Sequence, residues 1–138
     1  MTLQVYTDGG SLNNPGNAAS AYLIFQNGSL LAKETKKIGI KTNNIAEYQA
    51  LIMAWEKITE LINTKKIILP EKIEFFSDSQ LMVNQLLGKY RVKDQELKKS
   101  FLLVRLLSEK IKTKVNYIHV LREKNSQADA LVKQAFYS

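Results

Sequence analysis

The chain opens with strict alternation. Leu3, Val5 and Thr7 interleave with Gln4, Tyr6 and Asp8, the period of two that marks a strand with one buried face. Gly9, Gly10 and Asn13-Asn14-Pro15-Gly16 then supply turn chemistry and let other groups approach the backbone. A second strand is predicted from Ala18 to Phe25. Asn27-Gly28 is a two-residue hairpin signal, and Ser29 to Ile38 reads as the returning strand with Lys33, Lys36 and Lys37 on its exposed side. Gly39 to Thr42 reads as a short connection.

From about Asn44 to Ile62 the period lengthens to that of a helix. Leu51, Ala54, Ile58 and Leu61 make one apolar stripe, widened by Ile52, Trp55 and Ile62. Lys72 to Ser77 is the fourth predicted strand, and Ser79 to Leu87 a short helix ended by Gly88. A longer helix from about Gln95 to Lys110 turns Leu97, Phe101, Val104 and Leu107 inward. Thr113 to Val120 is the last strand, and Asn125-Ser126-Gln127 opens a final helix, Ala128 to about Phe136. Strands and helices mixed in this order predict an α/β protein. With 138 residues, one domain is expected, large enough to build a substantial core.

Charge adds direction to this picture. Twenty Lys and Arg against thirteen Asp and Glu leave a formal charge of +7, which favours a polyanionic partner. The basic loop Lys89-Tyr90-Arg91-Val92-Lys93 has the composition of a phosphate-backbone contact. No cysteine is present, so disulfides, thiol nucleophiles and cysteine-ligated zinc are excluded, and a reducing, cytoplasmic setting is expected. One histidine cannot build a His-rich metal site within one chain. No apolar run reaches the roughly 18 residues that span a bilayer, no export signal is read at the N-terminus, and nothing calls for an obligatory protein partner.

Four acids carry the candidate chemistry, although each has an ordinary structural explanation. Asp8 could start a turn. Glu47, in the first turn of the long helix and on its apolar stripe, could belong to a cap as Asn44-x-x-Glu47. Asp78, at the end of the fourth strand, could be an N-cap, and Asp129 could close the capping box Ser126-x-x-Asp129. Taken together they converge. Two strands and two helix starts that cover one sheet bring all four toward one mouth, where ligands collect in α/β sheets. Close carboxylates raise one another's pKa unless cations intervene. Hard oxygen donors select magnesium or manganese, and two such ions about 3.5–4 Å apart serve an in-line displacement at phosphate.

Asp8-Gly9-Gly10 with Asn14-Pro15-Gly16, Thr42-Asn43-Asn44-Ile45-Ala46-Glu47, Asp78-Ser79-Gln80 and Asn125-x-x-Ala128-Asp129-x-Leu131 resemble, in order, the motifs of type I ribonuclease H. The resemblance implies a ribonuclease H-like α/β fold: a five-stranded mixed sheet, its first three strands antiparallel and the last two parallel to the first, with helices on both faces. It implies that Asp8, Glu47, Asp78 and Asp129 are catalytic, metal-binding acids for two Mg2+ or Mn2+ ions. It assigns Asn14, Asn44 and Gln80 to contacts with an RNA–DNA hybrid and Thr42 to the DNA phosphates. Backbone groups of Gly9 and Gly10 suit the sensing of 2′-hydroxyls, and Arg122, in the short loop before the final helix, is expected to stabilise phosphate charge. The implied activity is endonucleolytic hydrolysis of the RNA strand of such hybrids, leaving 5′-phosphate and 3′-hydroxyl ends.

The chain departs from many family members in two places. Leu121-Arg122-Glu123-Lys124 is short where others carry a histidine in a longer loop, so the chain resembles the short-loop variant of archaeal-type and related bacterial members. His119 is expected to stay within the last strand, away from the reacting centre. Gly88 to Gln95 is too short for the extra basic helix that some members use to hold substrate; Lys89, Arg91 and Lys93 are the substitutes. Double-stranded RNA as a further substrate, and a non-catalytic hybrid- or RNA-binding module, are the alternatives.

Overall fold

The computed structural model describes residues 1–138. Five strands, β1 (Thr2–Ser11), β2 (Gly16–Gln26), β3 (Ser29–Lys41), β4 (Lys72–Ser77) and β5 (Lys114–His119), form one sheet in the order β3-β2-β1-β4-β5. β1, β2 and β3 are antiparallel neighbours, and β4 and β5 run parallel to β1. The expected mixed sheet is therefore the observed one. Both parallel joins cross over through helices, as parallel neighbours require.

Helix α1 (Asn43–Asn63) lies on one face of the sheet and packs against β1 and β2, with α3 (Gln95–Glu109) beside it. Its predicted stripe is the core. Leu51, Ala54, Trp55, Ile58 and Leu61 are buried with Leu3, Val5, Ile24, Ile73 and Phe75 of the sheet. The short helix α2 (Gln80–Leu86) follows β4. Helix α4 (Ser126–Phe136) lies across β1, β2 and β3 on the opposite face, where Val132 and Ala135 meet Ala19 and Ala21. Alanines on β2 let this helix sit close. The α4 helix covers only part of that face; Tyr6, Phe25 and Phe76 beyond it form a half-buried aromatic cluster. No helix is long and apolar enough to cross a membrane.

Three boundaries differ from expectation for reasons of pairing and capping. Gly39 to Lys41 is strand, because Ala18, Asn17 and Gly16 pair with Gly39, Ile40 and Lys41. The start of α1 is capped by Thr42, whose Oγ1 accepts from the Ile45 N–H at 3.2 Å, and not by Asn44. A four-residue 3-10 helix, Arg122–Asn125, precedes α4, which starts at Ser126, two residues before its predicted start.

Candidate active site

β1 and β4 leave the sheet side by side, and each delivers an aspartate at its carboxyl end. Asp8 sits in β1 just past its last pair with β4, and Asp78 directly follows β4. Glu47 comes down from the first turns of α1. A close approach of Gly9 to the backbone of Ala46 and Glu47 makes this meeting possible. A Cβ at Gly9 would collide with the Ala46 carbonyl, so only glycine allows strand and helix this near. Carboxylate oxygens of Asp8, Glu47 and Asp78 consequently lie within 4.8 Å of one another.

Asp129 lines the same cleft from α4 but stands outside this trio. It is held by two cations: Lys133 Nζ at 3.0 Å, one helical turn on, and Arg122 Nη2 at 3.4 Å. The cleft, of about 560 Å³, also takes in Gly9, Gly10, Ser11, Asn43 and His119.

Electrostatics separate the acids. Burial, then the charges of Asp78 and Asp129, pushes Asp8 up to about 7. Glu47 is raised well above the usual carboxylate range by burial and by the charges of Asp8 and Asp78, against a backbone hydrogen bond from Gly9. Its Oε1 is buried with no hydrogen-bond partner. Asp78 is raised by burial, although Asn125 and Arg122 oppose the rise. Asp129 moves the other way: burial opposes it, but Lys133 and Arg122 together hold it below the ordinary value. Three acids thus resist joint ionisation, and the fourth is already ionised at the rim.

The capping explanations of these acids fail one by one. Asp78 is not the cap of α2; Ser79 is, its Oγ accepting from the Met82 N–H at 3.2 Å. Asp129 closes no capping box, since the start of α4 has no side-chain cap. Glu47 is buried behind a helix start that Thr42 already caps. None of the three carboxylates caps its helix.

Of the other expected site residues, Gly9, Gly10 and Arg122 line the cleft; Asn14, Thr42, Asn44 and Gln80 do not. Asn14 stands behind it, its Oδ1 accepting from the Asn43 N–H at 2.9 Å. Thr42 is occupied as a cap, and Asn44 and Gln80 are exposed in first turns of α1 and α2. His119, expected to remain apart, ends β5 and lines the cleft. The strand stops before Val120, so its last side chain reaches the mouth. Sequence reasoning passed over Asn43, whose Oδ1 accepts from both Ser11 N–H at 2.8 Å and Ser11 Oγ at 3.0 Å. Both lone pairs are used, so its amide N–H groups remain for the cleft. It also passed over Lys133, which the i, i+4 spacing from Asp129 could have revealed, and Asn125. The buried Asn125 donates from Nδ2 to the Thr7 carbonyl at 2.8 Å, tying the approach to α4 to β1.

The RNase H family model matches residues 1–137. A bifunctional protein of Mycobacterium tuberculosis is 32% identical over 137 residues, covering 98% of this chain and 35% of the relative. Ribonuclease HI of Halobacterium salinarum is 35% identical over 134 residues, 96% of this chain and 63% of the relative. The chain therefore spans about a third of the mycobacterial relative and under two thirds of the archaeal one. Among solved structures, LC11-RNase H1 in complex with an RNA/DNA hybrid superposes with a TM-score of 0.88 at 36% identity, covering 96% of this chain and 95% of that one. Fold, motif order and these likenesses agree along nearly the whole length, and the chain belongs to the RNase H family, in its type I branch.

Proposed function

We propose that this chain is a metal-dependent endonuclease that hydrolyses the RNA strand of RNA–DNA hybrids, with residues 1–138 acting as one catalytic domain. The observation that carries this reading is the Asp8–Glu47–Asp78 cluster, three carboxylates within 4.8 Å in a chain of net charge +7. Anions gathered in this way would repel a phosphate backbone unless cations join them. The donor set fits a hard divalent ion: all its ligand atoms are oxygens, and the buried Glu47 Oε1 has no other partner. Asp8, Glu47 and Asp78 would hold Mg2+ or Mn2+, two ions per site, with Asp129 completing the set from the rim. Bound there, the ions supply Lewis-acid polarisation of the phosphate and a nucleophile at neutral pH.

The chain's own groups bind and orient. Arg122, whose planar fork of N–H donors suits phosphate oxygens, faces the cleft where phosphate charge would be placed. Gly9 and Gly10 offer close backbone approach, and the amide of Asn43 offers donors beside them. These groups, with Asn14, Asn44 and Gln80 outside the cleft, would sense 2′-hydroxyls on one strand, the feature that tells RNA from DNA, while Thr42 would stand near the DNA phosphates. The hybrid bound by LC11-RNase H1, a protein so similar in fold, supports this substrate.

Cleavage of end-labelled hybrid, double-stranded RNA and double-stranded DNA tests the reading, each with magnesium, manganese or chelator. Cutting of the RNA strand of the hybrid with either metal and none with chelator is expected. Cutting of double-stranded RNA as well would widen the substrate class. Hybrid binding without cleavage under any metal would make the chain a binding module and overturn the proposal.

A further inference from the structure

The 3-10 helix Arg122–Asn125 has two sides. Arg122 lines the catalytic cleft, whereas Lys124 lines a second groove of about 310 Å³. Four residues of 3-10 helix rise only about 8 Å, so the two recesses are a few nucleotides apart. The second groove is walled by Tyr6 and Phe25 from the part of the sheet that α4 leaves uncovered. Gln4, Gln127 and Lys124 stand around them, and the Gly28 turn closes one end. Gly28 has φ +80° with open space where a side chain would stand, so the hairpin tip leaves the entrance clear.

The chemistry of this groove is specific. Tyr6 stacks on Phe76 with ring centroids 4.8 Å apart and meets Phe25 edge-on at 5.9 Å. The half-buried rings form a braced apolar wall, and the two glutamine amides beside it can donate and accept along the edge of a base. Charge on the same sheet face is one-sided. Strand register puts Lys33 beside Leu23, and Lys114 beside Lys72, on the face that carries Tyr6 and Phe76. Apart from Asp8 of the catalytic cleft, Glu74 is the only acid on these strand faces, and Lys72 pairs with it at 3.7 Å. Lys33, Lys114 and Lys124 are exposed and make no ion pair.

We propose that this groove binds an unpaired nucleic-acid strand, a base resting on the Tyr6–Phe25 wall and its phosphate on Lys124, so that single-stranded extensions of a duplex held in the cleft are gripped across the 3-10 helix. Aromatic walls with unpaired lysines are how proteins hold single strands without sequence preference. The occupant's origin rests on the hybrid reading of the cleft, while the groove's affinity for a free single strand does not.

Two measurements on the full chain test this. In the first, a short mixed-sequence single-stranded oligodeoxynucleotide is titrated while amide shifts are followed by NMR. Shifts are expected at Tyr6, Phe25, Lys124 and Gln127, and should be lost in Lys124→Glu and in the milder Phe25→Leu. In the second, KM is compared for blunt hybrids and hybrids with a short overhang on either strand. Overhangs are expected to lower KM by about tenfold, an advantage that both variants lose while kcat and the blunt-substrate KM stay unchanged. Shifts confined to the cleft, or variants that weaken blunt and overhung hybrids equally, would overturn the groove. Groove shifts that persist while no hybrid is cut would overturn the hybrid reading and leave the groove standing.

Discussion

Gly9 and Ala46 touch backbone to backbone, with no room for a Cβ on the glycine. This contact sets the distance between β1 and α1, and with it the distance between Asp8 and Glu47. Gly9→Ala must push the helix away from the strand. The expected loss is about 1–3 kcal/mol or more, the range for forcing extra volume into packed structure. It should be accompanied by weakened Mg2+ binding. Urea unfolding gives the first quantity and calorimetric titration the second; wild-type values for both would mean that the helix can shift without consequence.

The raised carboxyls make the metal-free protein sensitive to pH. Asp8 titrates near 7 in the folded chain against 3.8 ordinarily, and Glu47 is also raised. Between those limits the folded state binds more protons than the unfolded state, so stability falls as pH rises from about 4 to about 7. Divalent metal competes with those protons, so its apparent affinity should increase over the same interval. Thermal melts in chelator across this range, repeated with magnesium, check both statements. A flat melting temperature in chelator would show that these carboxyls are not raised in the folded chain.

Glu47→Gln separates stability from chemistry. The amide keeps the shape of a buried side chain and removes one of three crowded charges. At pH 8 without metal, the variant should melt about 2–5 °C higher, corresponding to roughly 1 kcal/mol in a chain of this size. Its cleavage should fall by more than the about 10–100-fold typical of losing a partner outside the ligand set. A variant that melts lower and still cuts would assign Glu47 to packing.

Most of the fold was legible because alternation and helical stripes report which face is buried, and Leu51, Ala54, Ile58 and Leu61 do lie in the core. The four acids were legible as a group, but their local explanations were not separable from sequence. A cap can sit one or two residues from the most acidic candidate, and only the hydrogen bonds show which hydroxyl is used. Thr42 and Ser79 do the capping, which leaves Glu47 and Asp78 unemployed by their helices. Asn43 stayed hidden because its role depends on Ser11, thirty-two positions away. Ser79→Ala should therefore cost about 1 kcal/mol of stability with little loss of turnover. Asp78→Asn should spare the cap and abolish most turnover. Denaturant midpoints and single-turnover rates on the two variants distinguish these assignments, and the reverse pattern would restore Asp78 as a structural residue.

His119 and Arg122 both face the cleft, but they are engaged differently. His119 is the last residue of β5, opposite Ser77 in the ladder, and makes no side-chain hydrogen bond or ion pair with any of the four acids. An imidazole there invites the role of proton carrier, because its two ring nitrogens can accept and donate. Its backbone, however, is fixed by the sheet up to that residue. Arg122 lies on the 3-10 helix, largely exposed, with Nη2 3.4 Å from Asp129 Oδ1. It cannot accept a proton, but it can hold phosphate charge and set the orientation of Asp129. His119→Ala should therefore lower the single-turnover rate less than tenfold, about 1.4 kcal/mol of barrier, and Arg122→Ala should cost at least as much. Arg122→Lys, which keeps the charge and loses the planar fork, should recover only part of the loss. Rates at saturating metal, taken across pH, decide the matter: a hundredfold loss confined to His119→Ala, with the acidic limb of the pH profile gone, would make the histidine the proton carrier and reduce Arg122 to a surface charge.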